Sequence, residues 1–433
     1  MDASDRNSER IDTNVNTHSK PSELRITDLR ITVDENHGER PAPIVRIDTN
    51  QGLVGYGQAR NGSSKTYILM LKNRLLGENP CDVDRLFRKI KQFGGHGRQG
   101  GGVSAIEVAL MDLAGKAYGV PVYQLLGGKF RDRIRCYSDT PWVADPTQMG
   151  KRLKARMQRG FTFLKMDLGI QLLAGVPDTI VAPAGSLEYK NTMQPFRFVH
   201  LTDKGIDLMC QYVEAVRNVI GYEIPLALDH FGPIGLVSCI RLAQALDRYS
   251  LAWLEDMIPW QYTRQYVRLA DSCNTPLCTG ENIYLKEGFM DLFDANAISV
   301  VHPDLLCSGG IMETKKIGDL AQAHGICMVI HHNTSPIGAM ASVHCAAATE
   351  NFLALELHAV DVDYWDNMVH GIAKPIVQNG YITVPQGPGL GIELNEEEIR
   401  KHIDPDNPGY FEPTPEWDKE YFSDALDLHA RNV

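Results

Sequence analysis

Three apolar runs that each end on a carboxylate constrain this chain more than any other feature. They read Pro225-Leu-Ala-Leu-Asp229, Leu251-Ala-Trp-Leu-Glu255 and Pro276-Leu-Cys-Thr-Gly-Glu281, and successive acids stand 26 residues apart. Helical patterns such as Val237 to Leu246 fill the intervals. Strand, helix, strand at this spacing is a βαβ unit, whose strands must run parallel beneath a cover of helices. Parallel neighbours in register bring their ends, and so the three carboxylates, to one rim. Anions that close repel unless a cation joins them or burial protonates them, and an oxygen-only set without Cys or His suits Mg²⁺.

The same rhythm extends along the chain. Strand ends are expected near Ser138, Lys165, Asp229, Glu255, Glu281, Asp304, His331 and Glu356. Eight such ends is the count of a (β/α)₈ barrel, where polar residues at the C-terminal ends of strands carry the chemistry. The 64-residue interval between Lys165 and Asp229 exceeds one helix, so an insertion at about 169–205 is expected to fold over the rim. Ahead of the barrel, residues 1–21 are polar and read as a disordered tail. Alternation from Leu24, a second run at Ile44 and a tight turn at Thr49-Asn-Gln-Gly predict an antiparallel meander. Helical patterns at Tyr67 to Leu76, Val83 to Gln92 and Ser104 to Tyr118 complete an α+β module over 22–135. The Gly-rich stretch Phe93 to Gly102 follows a helix rather than a strand, so it reads as a flexible lid or entry loop and not as a phosphate cradle. Barrel rhythm covers 136–365. Beyond it, in 366–433, Ile382-Thr-Val and Gly387 to Ile392 are expected to return to the first module.

Charge and cysteine usage narrow the function. A formal charge of −11 with no basic stripe argues against nucleic acid or an anionic membrane as partner. Nine scattered cysteines without a Cys-x-x-Cys pair fit a reducing cytosol. No apolar run approaches the length of a membrane span, and no signal-peptide core opens the chain.

The later strands add a candidate base. The sixth ends Ser299-Val-Val-His-Pro-Asp304 and the seventh runs Ile326 to His331-His332. Adjacent ends let Asp304 accept a hydrogen bond from His331, which fixes the tautomer and raises the basicity of the other ring nitrogen. The eighth, Leu353-Ala-Leu-Glu356-Leu-His358, adds an acid at the same level. Singly, such residues are more often helix caps, ion-pair partners or satisfied histidines. The ordered series Lys165, Asp229, Glu255, Glu281, Asp304, His331, Glu356 on consecutive strand ends is far more specific.

That series resembles the enolase superfamily and, within it, the mandelate racemase subgroup, from about Leu24 to Ile403. The resemblance implies a modified (β/α)₈ TIM-type barrel with an α+β capping domain completed by the C-terminal segment. It implies one Mg²⁺ per subunit on Asp229, Glu255 and Glu281, a His331–Asp304 base dyad, and Glu356 as a further rim acid. The phrase His331-His-Asn-Thr-Ser-Pro-Ile and the insertion are most similar to the sugar-acid dehydratases of the mannonate and galactonate type, in which Tyr189 of the insertion would contribute a hydroxyl. Two departures stand out. The racemases end their second strand Lys-x-Lys, whereas this chain has Lys165-Met-Asp167, so Asp167 does not carry over as that lysine and the resemblance does not extend to two-base racemisation. Lys165 is then expected on a substrate carboxylate or hydroxyl, or in an ion pair. The dehydratases place an acid histidine two residues after the first metal ligand; here His230 follows immediately and Phe231 takes the expected place. Side chains alternate along a strand, so His230 faces the site only where the strand ends or bulges.

The activity implied is dehydration of an aldonate. His331 removes the proton alpha to the carboxylate, and the β-hydroxyl leaves with help from His230, His331 or Tyr189, giving a 2-keto-3-deoxy acid. Further substrate contacts are expected from His37, His96 and Arg98 of the cap and from Asp167, His332 and His358 at the rim. A cytoplasmic homo-oligomer is expected, acting on a small molecule. The alternatives are an epimerase, racemase or cycloisomerase on a sugar acid, and a non-catalytic regulator that binds metal and sugar acid.

Overall fold

The computed structural model describes residues 19–36, 39–185, 199–230 and 234–419. Its N-terminal module is a meander of β1 (Ile26–Asp34), β2 (Ala42–Thr49) and β3 (Val54–Gln58). Gly52, at φ +78°, supplies the left-handed position that closes the β2–β3 hairpin. The helix Gly101–Tyr118 lies against this sheet and is buried almost all round. Gly55 and Gly57 permit the approach, because a Cβ on either would collide with the backbone of Ala109 or Ala105.

Eight parallel strands follow. β4 (Arg133–Ser138) and β5 (Leu164–Asp167) come first, and the long connection after β5 carries a small antiparallel ribbon of β6 (Ile180–Val181) and β7 (His200–Leu201). Then come β8 (Leu226–Asp229), β9 (Leu254–Glu255), β10 (Leu277–Thr279), β11 (Val300–Val301), β12 (Cys327–Ile330) and β13 (Phe352–Leu357). A second short ribbon pairs β14 (Val369–His370) with β16 (Glu393–Leu394), and β15 (Tyr381–Thr383) lies between them in sequence. The large sheet runs β15-β4-β13-β12-β11-β10-β9-β8-β5. It curls into a modified TIM barrel whose ends, β4 and β5, lie side by side with no ladder between them among the described residues. The expected ends at Ser138, Asp229 and Glu255 are strand termini, while Glu281, Asp304 and His331 stand just past β10, β11 and β12.

Two sequence readings need correction. Ile382 does not return to the cap: β15 pairs antiparallel with β4, taking the edge that the open seam leaves free. The return starts later, where Val122 N–H donates to the Gly389 carbonyl at 3.0 Å and Glu35 N–H to the His402 carbonyl at 2.8 Å. The Gly-rich stretch is no free lid either. It forms a 3₁₀ turn at Gly97–Gly100 that packs on the barrel, and a side chain at Gly100 would strike the Cys307 carbonyl and the Tyr284 ring.

One layer of the barrel interior is built from Tyr137, Phe163, Ala227, Trp253, Cys278, Val300, Val329 and Ala354, contributed strand by strand. Phe163 stacks on Trp253 with ring centroids 4.8 Å apart, and Tyr137 meets Trp253 edge-on at 5.9 Å. This layer sets the parity of the rim, because residues two further along a strand point the same way.

The cap is tied to the barrel through Glu107. Its carboxylate accepts from Ile311 N–H at 2.5 Å and Met312 N–H at 2.9 Å, capping the barrel helix Ile311–Ala323. Glu107→Ala leaves a buried and a half-buried donor unpaired and is expected to cost about 2 kcal/mol in urea unfolding, with Glu107→Gln losing less because its amide oxygen still accepts.

Candidate active site

Two residues beyond the interior layer the chain places its charged groups. Lys165 follows Phe163, Asp229 follows Ala227, Glu255 follows Trp253, His331 follows Val329 and Glu356 follows Ala354. Asp229 pairs with Glu255 across β8 and β9 and with Asp167 across β5 and β8, while Lys165 lies one step lower, opposite Ala227.

Lys165 is the centre of this group. Its ammonium lies 3.3 Å from Asp229 Oδ2, 2.8 Å from Glu255 Oε1 and 2.9 Å from Glu356 Oε1, and the side chain is buried. Burial opposes its charge, but the three carboxylates hold its pKa well above the ordinary lysine value. His302, two residues before Asp304, sits below the rim. Its Nδ1 is 3.0 Å from Glu255 Oε1 and its Nε2 3.2 Å from Glu356 Oε2. Burial disfavours the imidazolium there, yet Glu255 and Glu356 raise its pKa well above the usual histidine value. The interior layer props the same acids, since Trp253 Nε1–H donates to Glu255 Oε2 at 2.9 Å and the Tyr137 hydroxyl to Glu356 Oε2 at 3.3 Å.

Across the rim lies the dyad. His331 Nδ1 is 2.9 Å from Asp304 Oδ2 and its Nε2 is 3.1 Å from Glu281 Oε2. Asp304 is fixed by Leu306 N–H, which donates to Oδ1 at 2.8 Å. Arg60, from the cap, reaches down with Nη2 2.9 Å from Glu281 Oε1 and Nε 3.2 Å from Asp304 Oδ2. Against the cost of burial, Arg60 and His331 hold both carboxyl groups below the ordinary range.

The expected metal ligands therefore fall into two sets, with Asp229 and Glu255 on Lys165 and Glu281 on Arg60 and His331. The donor groups within 4.8 Å of one another are Glu255–Cys278–His302 and His331–Glu356–His358 among the described residues, and neither is the set expected from sequence. The donor chemistry still fits a hard divalent cation. Asp229, Glu255 and Glu281 offer only oxygens, and the Asp229 carboxyl is pushed well up by burial and by Glu255, Asp256 and Asp167. Burial and the same crowding with Glu281 and Glu255 raise Asp256 to about 7. Such an excess of negative charge is what a cation relieves.

Local hydrogen bonds separate the other candidates. His230 and His332 directly follow Asp229 and His331 and are buried. His230 Nδ1 donates to the Leu168 carbonyl at 2.7 Å, and burial depresses its pKa to about 4. His332 Nε2 faces the carbonyls of Thr334 and Ser335 at 3.2 and 3.1 Å, tying its own loop. His358 does face the site, with its ring centroid 5.4 Å from that of His331. Asp167 sits beside Asp139, and burial with that neighbour raises it to about 7. At the cap junction, His96 packs on Trp260 at 4.5 Å and accepts from Tyr284 N–H, while Arg98 Nε–H donates to the Asn61 carbonyl at 3.2 Å. A cavity of about 190 Å³ lined by Asp256, Trp260, Gln261 and Asn282 opens between this junction and the rim. His37 and Tyr189 lie outside the described residues.

Sequence reasoning missed Arg60, His302, Asp139 and Asp256. Counting back two from Asp304 finds His302 on the same strand face, whereas nothing local marks Arg60. Replacing that arginine with Met leaves Asp304 buried without its cation, and a stability loss of about 3 kcal/mol is expected in denaturant unfolding.

Comparison with known proteins places this geometry. The chain matches the enolase C-terminal domain-like model over residues 148–398 and the mandelate racemase / muconate lactonizing enzyme N-terminal domain over residues 15–127. It is similar to D-xylonate dehydratase of Haloferax volcanii, 35% identical over 390 residues that span 88% of this chain and 89% of that one. It is also similar to D-gluconate/D-galactonate dehydratase of Picrophilus torridus, 27% identical over 84% of this chain and 91% of that one. Among solved structures, a mandelate racemase/muconate lactonizing enzyme-like protein from Rubrobacter xylanophilus superposes with a TM-score of 0.79 at 31% identity, covering 90% of this chain and all of that one. The 3,6-anhydro-D-galactonate cycloisomerase from Zobellia galactanivorans superposes at 0.73 and 25% identity, covering 88% of this chain and 99% of that one.

Proposed function

This chain belongs to the mandelate racemase / muconate lactonizing enzyme family of the enolase superfamily, and from that premise we propose that it is a sugar-acid dehydratase acting on an aldonate. The names of its relatives support the substrate class. The single observation that carries the reading is the His331–Asp304 bond, an oriented imidazole across the rim from Lys165. A binding protein has no need of an oriented base.

Asp229, Glu255 and Glu281 would hold one Mg²⁺ per subunit, which supplies Lewis-acid stabilisation for charge developing on the substrate carboxylate. Lys165 adds a fixed positive charge beside them. His331 takes the proton alpha to the carboxylate, while Asp304 holds its ring and stabilises the imidazolium that results. Loss of the β-hydroxyl as water gives an enol, and its tautomerisation gives the 2-keto-3-deoxy acid. The cavity beside Trp260 offers polar partners for the distal hydroxyls in Asp256, Gln261 and Asn282. His96, from the cap, packs on the Trp260 that lines it, and Arg98 is proposed as a further substrate contact. Cytoplasmic location and self-association are part of the proposal; all nine cysteines are free, and no helix among the described residues is long and apolar enough to cross a membrane.

Purified protein with Mg²⁺, offered D-xylonate, D-gluconate and D-galactonate, is expected to form a 2-keto-3-deoxy product from at least one of them. Absence of product across a wide panel of aldonic and aldaric acids overturns the reading. Exchange of the alpha proton without water loss would instead select epimerisation, and ring closure a cycloisomerase. His331→Asn is expected to lower kcat about 10³-fold, and chelation to abolish turnover until Mg²⁺ is restored.

A further inference from the structure

We infer that His358 is the general acid of this site, protonating the hydroxyl that leaves from C3 while His331 removes the proton from C2. The inference rests on the dehydratase reading above. Ala354, Glu356 and His358 share one face of β13 and its extension, so the imidazole continues the row that fills the barrel lumen. Donor atoms of His331, Glu356 and His358 all lie within 4.8 Å of one another, a span that suits groups acting on adjacent carbons. Among the rim imidazoles of the described residues His358 is the most open to solvent, with its side chain 22% exposed against 4% for His331 and 0% for His302. Water can therefore recharge it between turnovers.

Its surroundings keep it charged. Asp139 Oδ2 is 3.6 Å from Nδ1 and Glu356 Oε1 is 3.6 Å from Nε2, so each ring nitrogen faces a carboxylate. Burial and Lys165 oppose the imidazolium, but Asp139 and Glu356 prevail and raise its pKa to about 9. Asp167, His331 and His332 are its remaining titratable neighbours. Among the described residues the competing acids are otherwise engaged. His230 Nδ1 donates to the Leu168 carbonyl and burial depresses its pKa to about 4, Lys165 is held by three carboxylates, and the Tyr137 hydroxyl lies beneath the rim on Glu356 and His302.

The step balances. The C2–H electron pair becomes the C2=C3 bond as His331 gains the proton; the C3–O bond breaks with its pair on oxygen, which takes a proton from His358 and departs as water. The enol then loses its hydroxyl proton and gains one at C3, and solvent returns a proton to His358 and removes one from His331.

A leaving group that needs no proton isolates the role. His358→Asn is expected to lose about 10²- to 10³-fold in kcat for dehydration of the aldonate, yet to exchange the alpha proton with D₂O and to expel fluoride from the 3-deoxy-3-fluoro analogue within about threefold of wild type. Retention of full dehydration, or equal loss of dehydration, exchange and fluoride release in a folded variant, overturns the assignment. Should that variant not fold, Asp139→Asn serves: it is expected to move the alkaline limb of kcat for the aldonate to lower pH while leaving fluoride release flat, and an unmoved limb overturns the proposal. Wild type that releases no water from any sugar acid refutes the dehydratase reading itself, a result separate from these.

Discussion

The ion group around Lys165 is the constraint on which the rest of the structure turns. One ammonium gathers carboxylates from β8, β9 and β13, while His302 from below and Arg60 from above take the charges it leaves. Each buried ion forfeits several kcal/mol of hydration, and replacement of such networks by apolar side chains is often neutral or stabilising. Stability therefore does not explain the cluster. Burial and crowding drive Asp229 and Asp256 up while Lys165, Arg60 and the histidines drive Glu281 and Glu356 down within one rim, a clustering of shifts that marks a functional site.

Rigidity comes from beneath. Trp253 and Tyr137 fill the barrel and at the same time donate to Glu255 and Glu356, so packing of the floor fixes the aim of the acids above it. Fixed dipoles and charges need no reorganisation as charge develops in the substrate, and that preorganisation is the main electrostatic contribution a protein can make to such a step.

Much of this was legible in the chain. Spacing of Asp229, Glu255 and Glu281 gave the parallel strands and the barrel, and the order of polar strand ends gave the family. What spacing does not show is how local carbonyls tie a side chain: His230 Nδ1 is bound to Leu168 and His332 Nε2 to Thr334 and Ser335. Alternation applied to Asp304 points back to His302. Arg60 was invisible because its partners lie more than two hundred residues away, and Ile382 was misplaced because an unladdered seam between β4 and β5 cannot be read from periodicity.

Arg60 and Glu107 have a consequence for how the two modules can exist. One neutralises carboxylates at the mouth of the barrel and the other caps a barrel helix, and both are lent by the cap. A barrel cut free would carry uncompensated acids at its rim and bare amides on a helix, and a cap exchanged for a relative's would have to bring both debts' creditors in register. The boundary between the family's two domains is thus a seam in sequence but not in electrostatics: neither half is a self-sufficient molecule.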